Sequence, residues 1–292
     1  MPTNGAATRQ RTGNKAHNFT RVRFGVDRLG SDMVDLRISD LNFTSSIDVS
    51  PMARFYCPIP LQTGTEIQLP ESVARHILVL RLHVGDEINV FNGEGGEHLA
   101  VLCEVEKRSS RALLKHFSPR EAELPFAVTI AQALPEGSKM DWIVEKCVEL
   151  GAAGIQPLMA RRCVVRLSGE RASKRVAHWE GIVAAASEQC GRNRLAQVAE
   201  PSDFAVWAGH HDLHRRILLT PRASQSLAQW AAHQPQQAVA VVVGPEGGFT
   251  DDEENLAKTH GMLALSIGPR VLRTETAAIA ALSTLAAIWE RG

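Results

Sequence analysis

The residues with most chemical potential lie in two stretches near the C-terminus. The first is Val241-Val242-Val243-Gly244-Pro245-Glu246-Gly247-Gly248-Phe249-Thr250. The second is Leu265-Ser266-Ile267-Gly268-Pro269-Arg270-Val271-Leu272-Arg273-Thr274-Glu275-Thr276. Glycine lets a ligand approach the main chain closely, so Gly244, Gly247 and Gly248 offer backbone donors and acceptors to a bound molecule. Arg270, Arg273 and Glu275 crowd the second stretch. Guanidiniums suit developing negative charge, and a carboxylate can hold a proton or orient an arginine. One Gly-Pro corner is ordinarily a turn and nothing more. Two corners with this charge cluster point to a jointly built site.

The elements that must position these corners follow from the surrounding pattern. Each corner ends a short apolar run and precedes a helical pattern, as a buried parallel strand does on leaving a sheet. Ligands of open α/β sheets bind at that edge. Thr250 with Glu253 reads as a capping box opening a helix. From Phe126 onward strand and helix patterns alternate: strand 127–134, a helix capped by Ser138 and running through Leu150, strand 155–159, a long helix 171–190, then strands 216–220, 238–243 and 262–267 with helices 204–208, 224–233, 251–260 and 275–291 between and after them. That alternation predicts a parallel sheet covered on both faces. Trp142, Ile143, Cys147 and Leu150 are spaced to pack inward, and Gly191 is placed to end the long helix.

The stretches GPEGGFT (244–250), GPRVLRTETA (268–277), EKCVELG (145–151) and EQCGRN (188–193) resemble the RsmE family within the SPOUT class of RNA methyltransferases. The likeness runs from about Met52 to the end. It implies an α/β fold, a SPOUT-type parallel sheet with a C-terminal trefoil knot in which the segment after Ile267 threads a loop, plus a small N-terminal PUA-like β-barrel that holds RNA. It further implies methylation of N3 of a uridine in 16S rRNA of the small ribosomal subunit, with S-adenosylmethionine as cofactor, and a homodimer. On that reading Leu219, Thr220, Pro221, Gly244, Pro245, Glu246, Gly247, Gly248, Ile267, Gly268, Leu272 and Thr274 bind the cofactor. Arg273 stabilises charge on an exocyclic oxygen of the base. Glu275 takes the N3 proton or orients Arg273; equally, it only caps the last helix. Glu246 and Glu275 are the carboxylates suited to the sulfonium.

The expected organisation is an extension over 1–51, an RNA-binding domain over 52–119 and a methyltransferase domain over 125–292. The extension is polar, with basic residues and no sustained period. It reads as an RNA-binding arm, a transit peptide, or sequence upstream of a true start at Met52; the last is favoured. In the second segment Arg54, Arg75, His76 and Arg81 are expected to contact RNA. Arg162 at a strand end, with Arg192 and Asn193 after the long helix, is expected to extend that surface. The plainer reading of Arg192 and Asn193 is the end of a helix capped by Gly191. Ala277, Ala278, Ala280, Ala281, Ala286 and Ala287 give the last helix a small-residue surface, suited to close packing on the sheet or to a dimer interface anchored by Trp289.

Composition bounds the rest. Net charge is zero, so a nucleic-acid site must be a local patch. The five cysteines have no CxxC spacing, which argues against structural zinc and disulfides and for a reducing cytoplasm. No apolar run reaches the length of a membrane span, and no dinucleotide fingerprint GxGxxG occurs. His210-His211-Asp212-Leu213-His214 looks like a metal cluster but lacks a supporting carboxylate pattern, so no metal is expected. Two further functions compete: a SPOUT enzyme acting on a ribose 2′-hydroxyl, and a non-catalytic ribosome assembly factor.

Overall fold

A computed structural model describes residues 52–210 and 215–290, which carry two sheets. The expectations for 1–51, and for most of the histidine cluster at 210–214, lie outside the described residues.

The first sheet holds β1 (Arg54–Tyr56), β2 (Glu66–Gln68), β3 (Glu87–Phe91), β4 (Glu97–Val105) and β5 (Ser110–Ser118), with α1 (Glu71–Val79) between β2 and β3. Its order is β1-β3-β4-β5-β2. The pairs are antiparallel except β1 with β3. Phe55, Ile77, Ile88, Leu102 and Leu114 fill its core.

The second sheet is wholly parallel. Its elements are β6 (Val128–Ala133), α2 (Lys139–Glu149), β7 (Gly154–Met159), α3 (Gly169–Cys190), β8 (Gln197–Val198), β9 (Ser202–Asp203), α4 (Phe204–Gly209), β10 (Arg215–Leu219), α5 (Leu227–Ala231), β11 (Val239–Val243), α6 (Asp251–Thr259), β12 (Leu263–Leu265) and α7 (Thr274–Trp289). The order is β12-β10-β11-β6-β7-β8, with β9 also on β7. Every residue of β11 is buried, because helices cover both faces of the sheet and each fully buried valine contributes about 1.5–3 kcal/mol.

Local rules place the helix ends. The Thr250 hydroxyl accepts from the Glu253 amide and the Glu253 carboxylate accepts from the Thr250 amide, the expected capping box. A second box, Ser226 with Gln229, opens α5. Gly191 closes α3 at φ 85°, a left-handed conformation that a side chain would strain.

Four expectations about elements need correction. Ser138 stands at the start of α2 but makes no side-chain cap bond. Trp142 is 44% exposed, because the helix turns Ile143, Val144, Cys147 and Val148 inward instead. The strand 262–267 shortens to β12, since Ser266 bonds sideways to Gln225 and Leu227 rather than continuing the ladder. Trp289 is no exposed anchor: it is 4% exposed, its indole donates to Ala231 O, and it packs on Phe126 and Trp230.

Candidate active site

The carboxyl ends of β10, β11 and β12 meet around one cavity of about 540 Å³. Neighbouring parallel strands release their following loops on the same edge, so adjacency in the sheet brings these segments together. Leu219, Thr220 and Pro221 line it from β10. Gly244, Pro245, Glu246, Gly247 and Gly248 line it from β11. Ile267, Gly268, Leu272, Arg273, Thr274 and Glu275 line it from the segment after β12. All the residues expected at the cofactor and catalytic positions therefore share one pocket.

Thr274 fastens the start of α7 to the strand ends. Its hydroxyl donates to Gly244 O at 2.5 Å and accepts from Gln132 Nε2 at 2.8 Å. The same Gln132 Nε2 donates to Ala133 O at 2.8 Å. Thr274 is buried, so this chain of bonds sits away from water. It fixes where Arg273 and Glu275, its two neighbours, enter the cavity. The Arg273 guanidinium makes no hydrogen bond or ion pair among the described residues, leaving its donors for a ligand. Glu275 lies in the first turn of α7, where a carboxylate is favoured by the helix dipole.

The loop after β11 is held from several sides. Glu246 accepts from the Lys139 ammonium and from the Glu136 amide. Burial alone would raise its carboxyl; the bonds from Lys139 and from backbone amides outweigh this and hold it below the usual range. Arg162 Nη1 donates to Gly247 O at 2.6 Å. Glu253 Oε1 accepts from the Arg161 amide at 2.7 Å while its other oxygen caps α6. The Phe249 ring is buried against Phe204, with centroids 4.7 Å apart. On the β10 side Thr220 donates to the buried carboxylate of Glu254 at 3.1 Å.

Sequence reasoning missed Lys139, Arg222, Phe249 and Glu254 as lining residues. Lys139 follows β6, and only the placement of β6 beside β11 carries it to this cavity. A helix starting just after a buried strand was the one available signal.

The residues expected to meet RNA divide into three groups. Arg75, His76 and Arg81 stay exposed around α1, with Arg81 at φ 58°. Arg162 is exposed and lines the cavity. The expectation for Arg192 and Asn193 is corrected: they are 2% and 0% exposed and cannot offer a free face to phosphates. Arg192 pairs with Glu123 and donates to Val148 O and Ala152 O at 3.0 and 2.8 Å. Asn193 accepts from Arg54 at 2.7 Å and donates to Arg120 O at 2.7 Å. Arg54 is corrected with them, since its guanidinium is spent on Glu97, Asn193 and Arg192 O. Burial, with Arg120 beside it, lowers Arg54 to about 10, which leaves it charged at neutral pH. Glu97 also accepts twice from Arg120, at 3.0 and 3.1 Å. The EQCGRN stretch thus ties the first sheet to the end of α3; the plainer helix-end reading accounts for it.

Comparison with known proteins fits this geometry. A family profile described as an RNA methyltransferase domain matches residues 122–286, and one described as an RNA methyltransferase PUA domain matches residues 69–114. Ribosomal RNA small subunit methyltransferase E of Synechocystis is 37% identical over 73% of this chain and 69% of its own length. That of Bacillus subtilis is 33% identical over 74% of this chain and 87% of its own. The chain belongs to this methyltransferase E family. A crystal structure of the Neisseria gonorrhoeae member bound to S-adenosyl methionine superposes with a TM-score of 0.76, at 35% identity, covering 82% of this chain and 98% of that one. The family's α/β fold with a parallel sheet and a PUA-like part is what the two sheets here form. No metal-binding group of three or more His, Cys, Asp or Glu occurs among the described residues. No helix among them is long and apolar enough to cross a membrane.

Proposed function

We propose that this protein transfers a methyl group from S-adenosylmethionine to N3 of a uridine in 16S rRNA of the small ribosomal subunit. The observation that carries it is the convergence of three strand-end loops on one cavity, with the unpartnered guanidinium of Arg273 at its wall. The lining suits the cofactor. Leu219, Val243, Pro245, Ile267 and Leu272 give an apolar slot for adenine, and the glycine-rich backbone of 244–248 gives hydrogen bonds. Glu246 is largely neutralised by Lys139, so backbone carbonyls and Glu275 are the better partners for a sulfonium.

S-adenosylmethionine, when bound, supplies an electrophilic methyl group. Uracil N3 normally sits in base pairing and carries a proton, so the base must be unpaired and turned into the cavity. Arg273 donates to an exocyclic oxygen and stabilises the anion as the N3 proton leaves. Glu275 accepts that proton; no bond or ion pair among the described residues joins its side chain to that of Arg273, so it is not assigned to orient the guanidinium. The loops fix the two partners in position, which supplies much of the rate. The exposed group Arg75, His76 and Arg81 is assigned to the phosphate backbone.

The proposed organisation has an RNA-holding domain over 52–119 and a methyltransferase domain over 125–292, acting as a homodimer in the cytoplasm. A trefoil knot is part of the proposal. Its support is that residues 265–266 bond to Thr220, Gln225 and Leu227, while Thr274 lands on Gly244, so the chain runs past the loop after β10 before α7 begins.

Nucleoside mass spectrometry of rRNA from a deletion strain tests the function. Loss of 3-methyluridine is expected, restored by the wild-type gene and not by Arg273→Ala. Unchanged 3-methyluridine with loss of a 2′-O-methyl nucleoside would move the target to ribose. Failure to bind S-adenosylmethionine in calorimetry would favour a non-catalytic assembly factor.

A further inference from the structure

The turn after β7 touches the cofactor loop and the start of α6 through contacts that the proposed chemistry does not use. The Arg161 amide donates to Glu253 Oε1 at 2.7 Å. Arg162 Nη1 donates to Gly247 O at 2.6 Å. Glu253 is the residue that caps α6, so the first contact reaches the C-terminal side of the loop. The second reaches the middle of the loop, inside the cavity lining. Gly247 also lets the arginine lie flat across it: a Cβ there would stand 3.2 Å from Arg162 Cδ and 3.4 Å from its Cβ. The close approach of an arginine stem gives one physical reason for glycine at this position.

We propose that Arg162 is a positioning residue for the cofactor: it clamps the 244–248 loop through the Gly247 carbonyl and so sets the affinity for S-adenosylmethionine, rather than meeting RNA. The inference rests on the functional reading above. A charge-assisted bond of this kind outweighs a neutral one. Arg162 is exposed, so its loss leaves no cavity in the core. Its effect falls on the loop's conformation and therefore on ligand binding. With Lys139 holding Glu246 from the β6 side, the loop is gripped by one cation from the exit of β6 and one from the exit of β7. Of these two cations, Arg162 is the one that bonds to main chain within the lining.

The test is calorimetric titration of S-adenosylmethionine into the full-length wild type, Arg162→Ala and Arg162→Lys, without RNA. Melting of the ligand-free proteins and RNA binding at several salt concentrations accompany it. The clamp predicts about a tenfold weaker affinity in Arg162→Ala, matching the size of one charged hydrogen bond. It further predicts partial recovery in Arg162→Lys, ligand-free melting close to wild type, and a raised KM for S-adenosylmethionine with kcat little changed at saturation. Unchanged cofactor affinity with weaker RNA binding and a shallower salt dependence would overturn it and make Arg162 a phosphate contact. Melting lowered in proportion, with no recovery by lysine, would overturn it in favour of a general stabilising role. A wild type that itself fails to bind the cofactor would remove the functional reading; a wild type that binds no better than Arg162→Ala would remove the clamp alone.

Discussion

The hydroxyl of Thr274 sits 2.5 Å from the carbonyl oxygen of Gly244, joining the first residue of α7 to the exit of β11. These residues are thirty positions apart in the chain, yet their bond decides where the two Gly-Pro corners meet. Thr274→Val keeps the shape and removes the donor and acceptor. The buried Gln132 amide then loses a partner, and a loss of about 1–3 kcal/mol in folding stability is expected. Chemical denaturation measures it. Cofactor affinity should fall in parallel, because the whole 272–275 segment loses its anchor.

Arg273→Ala is expected to lower kcat by about a hundredfold or more, the cost of removing one donor from developing charge. Cofactor affinity should change little, since the guanidinium is assigned to the base. Single-turnover methylation of small-subunit RNA, read beside calorimetry, checks both halves. A large loss of cofactor affinity would place Arg273 on the donor instead.

The Lys139–Glu246 pair gives a pH signature. The Glu246 carboxyl is held below its ordinary value, so its contribution is present above that value and is lost as pH falls through the lowered one. Lys139 is raised, chiefly by its bond to Glu246, so its contribution is present below the ordinary ammonium value and is lost as pH rises through the raised one. Cofactor affinity should therefore be flat from about pH 5 to about pH 10 as far as this pair is concerned, and should fall at the acid end. Titrations of Glu246→Gln carried below about pH 5 should lose the acid limb.

Glu123→Ala strands the buried guanidinium of Arg192. A fully buried pair broken this way costs about 3–5 kcal/mol. Glu123 is partly open to solvent, so about 2–3 kcal/mol is expected, as a lowered denaturation midpoint. Removing charge at Arg192 should leave the salt dependence of RNA binding unchanged, whereas removing it at Arg75 or Arg81 should flatten it.

Much of this protein is legible in one dimension. The apolar run of β11, the Thr250–Glu253 box and the Gly191 stop are set by residues a few positions apart, and each formed as its local pattern requires. The corners 244–248 and 267–275 announce themselves because glycine, proline and arginine have few other reasons to cluster so. What spacing could not assign was the company each residue keeps. Arg192 and Arg162 are both arginines just past an element's end. One is buried on Glu123, and the other lies across Gly247. Trp142 and Trp289 both sit on helices, and only packing turned one outward and the other into the core. Lys139 reached the cavity because β6 lies beside β11. Such pairings join distant parts of the chain, and they depend on strand order and burial, which no short window of sequence contains.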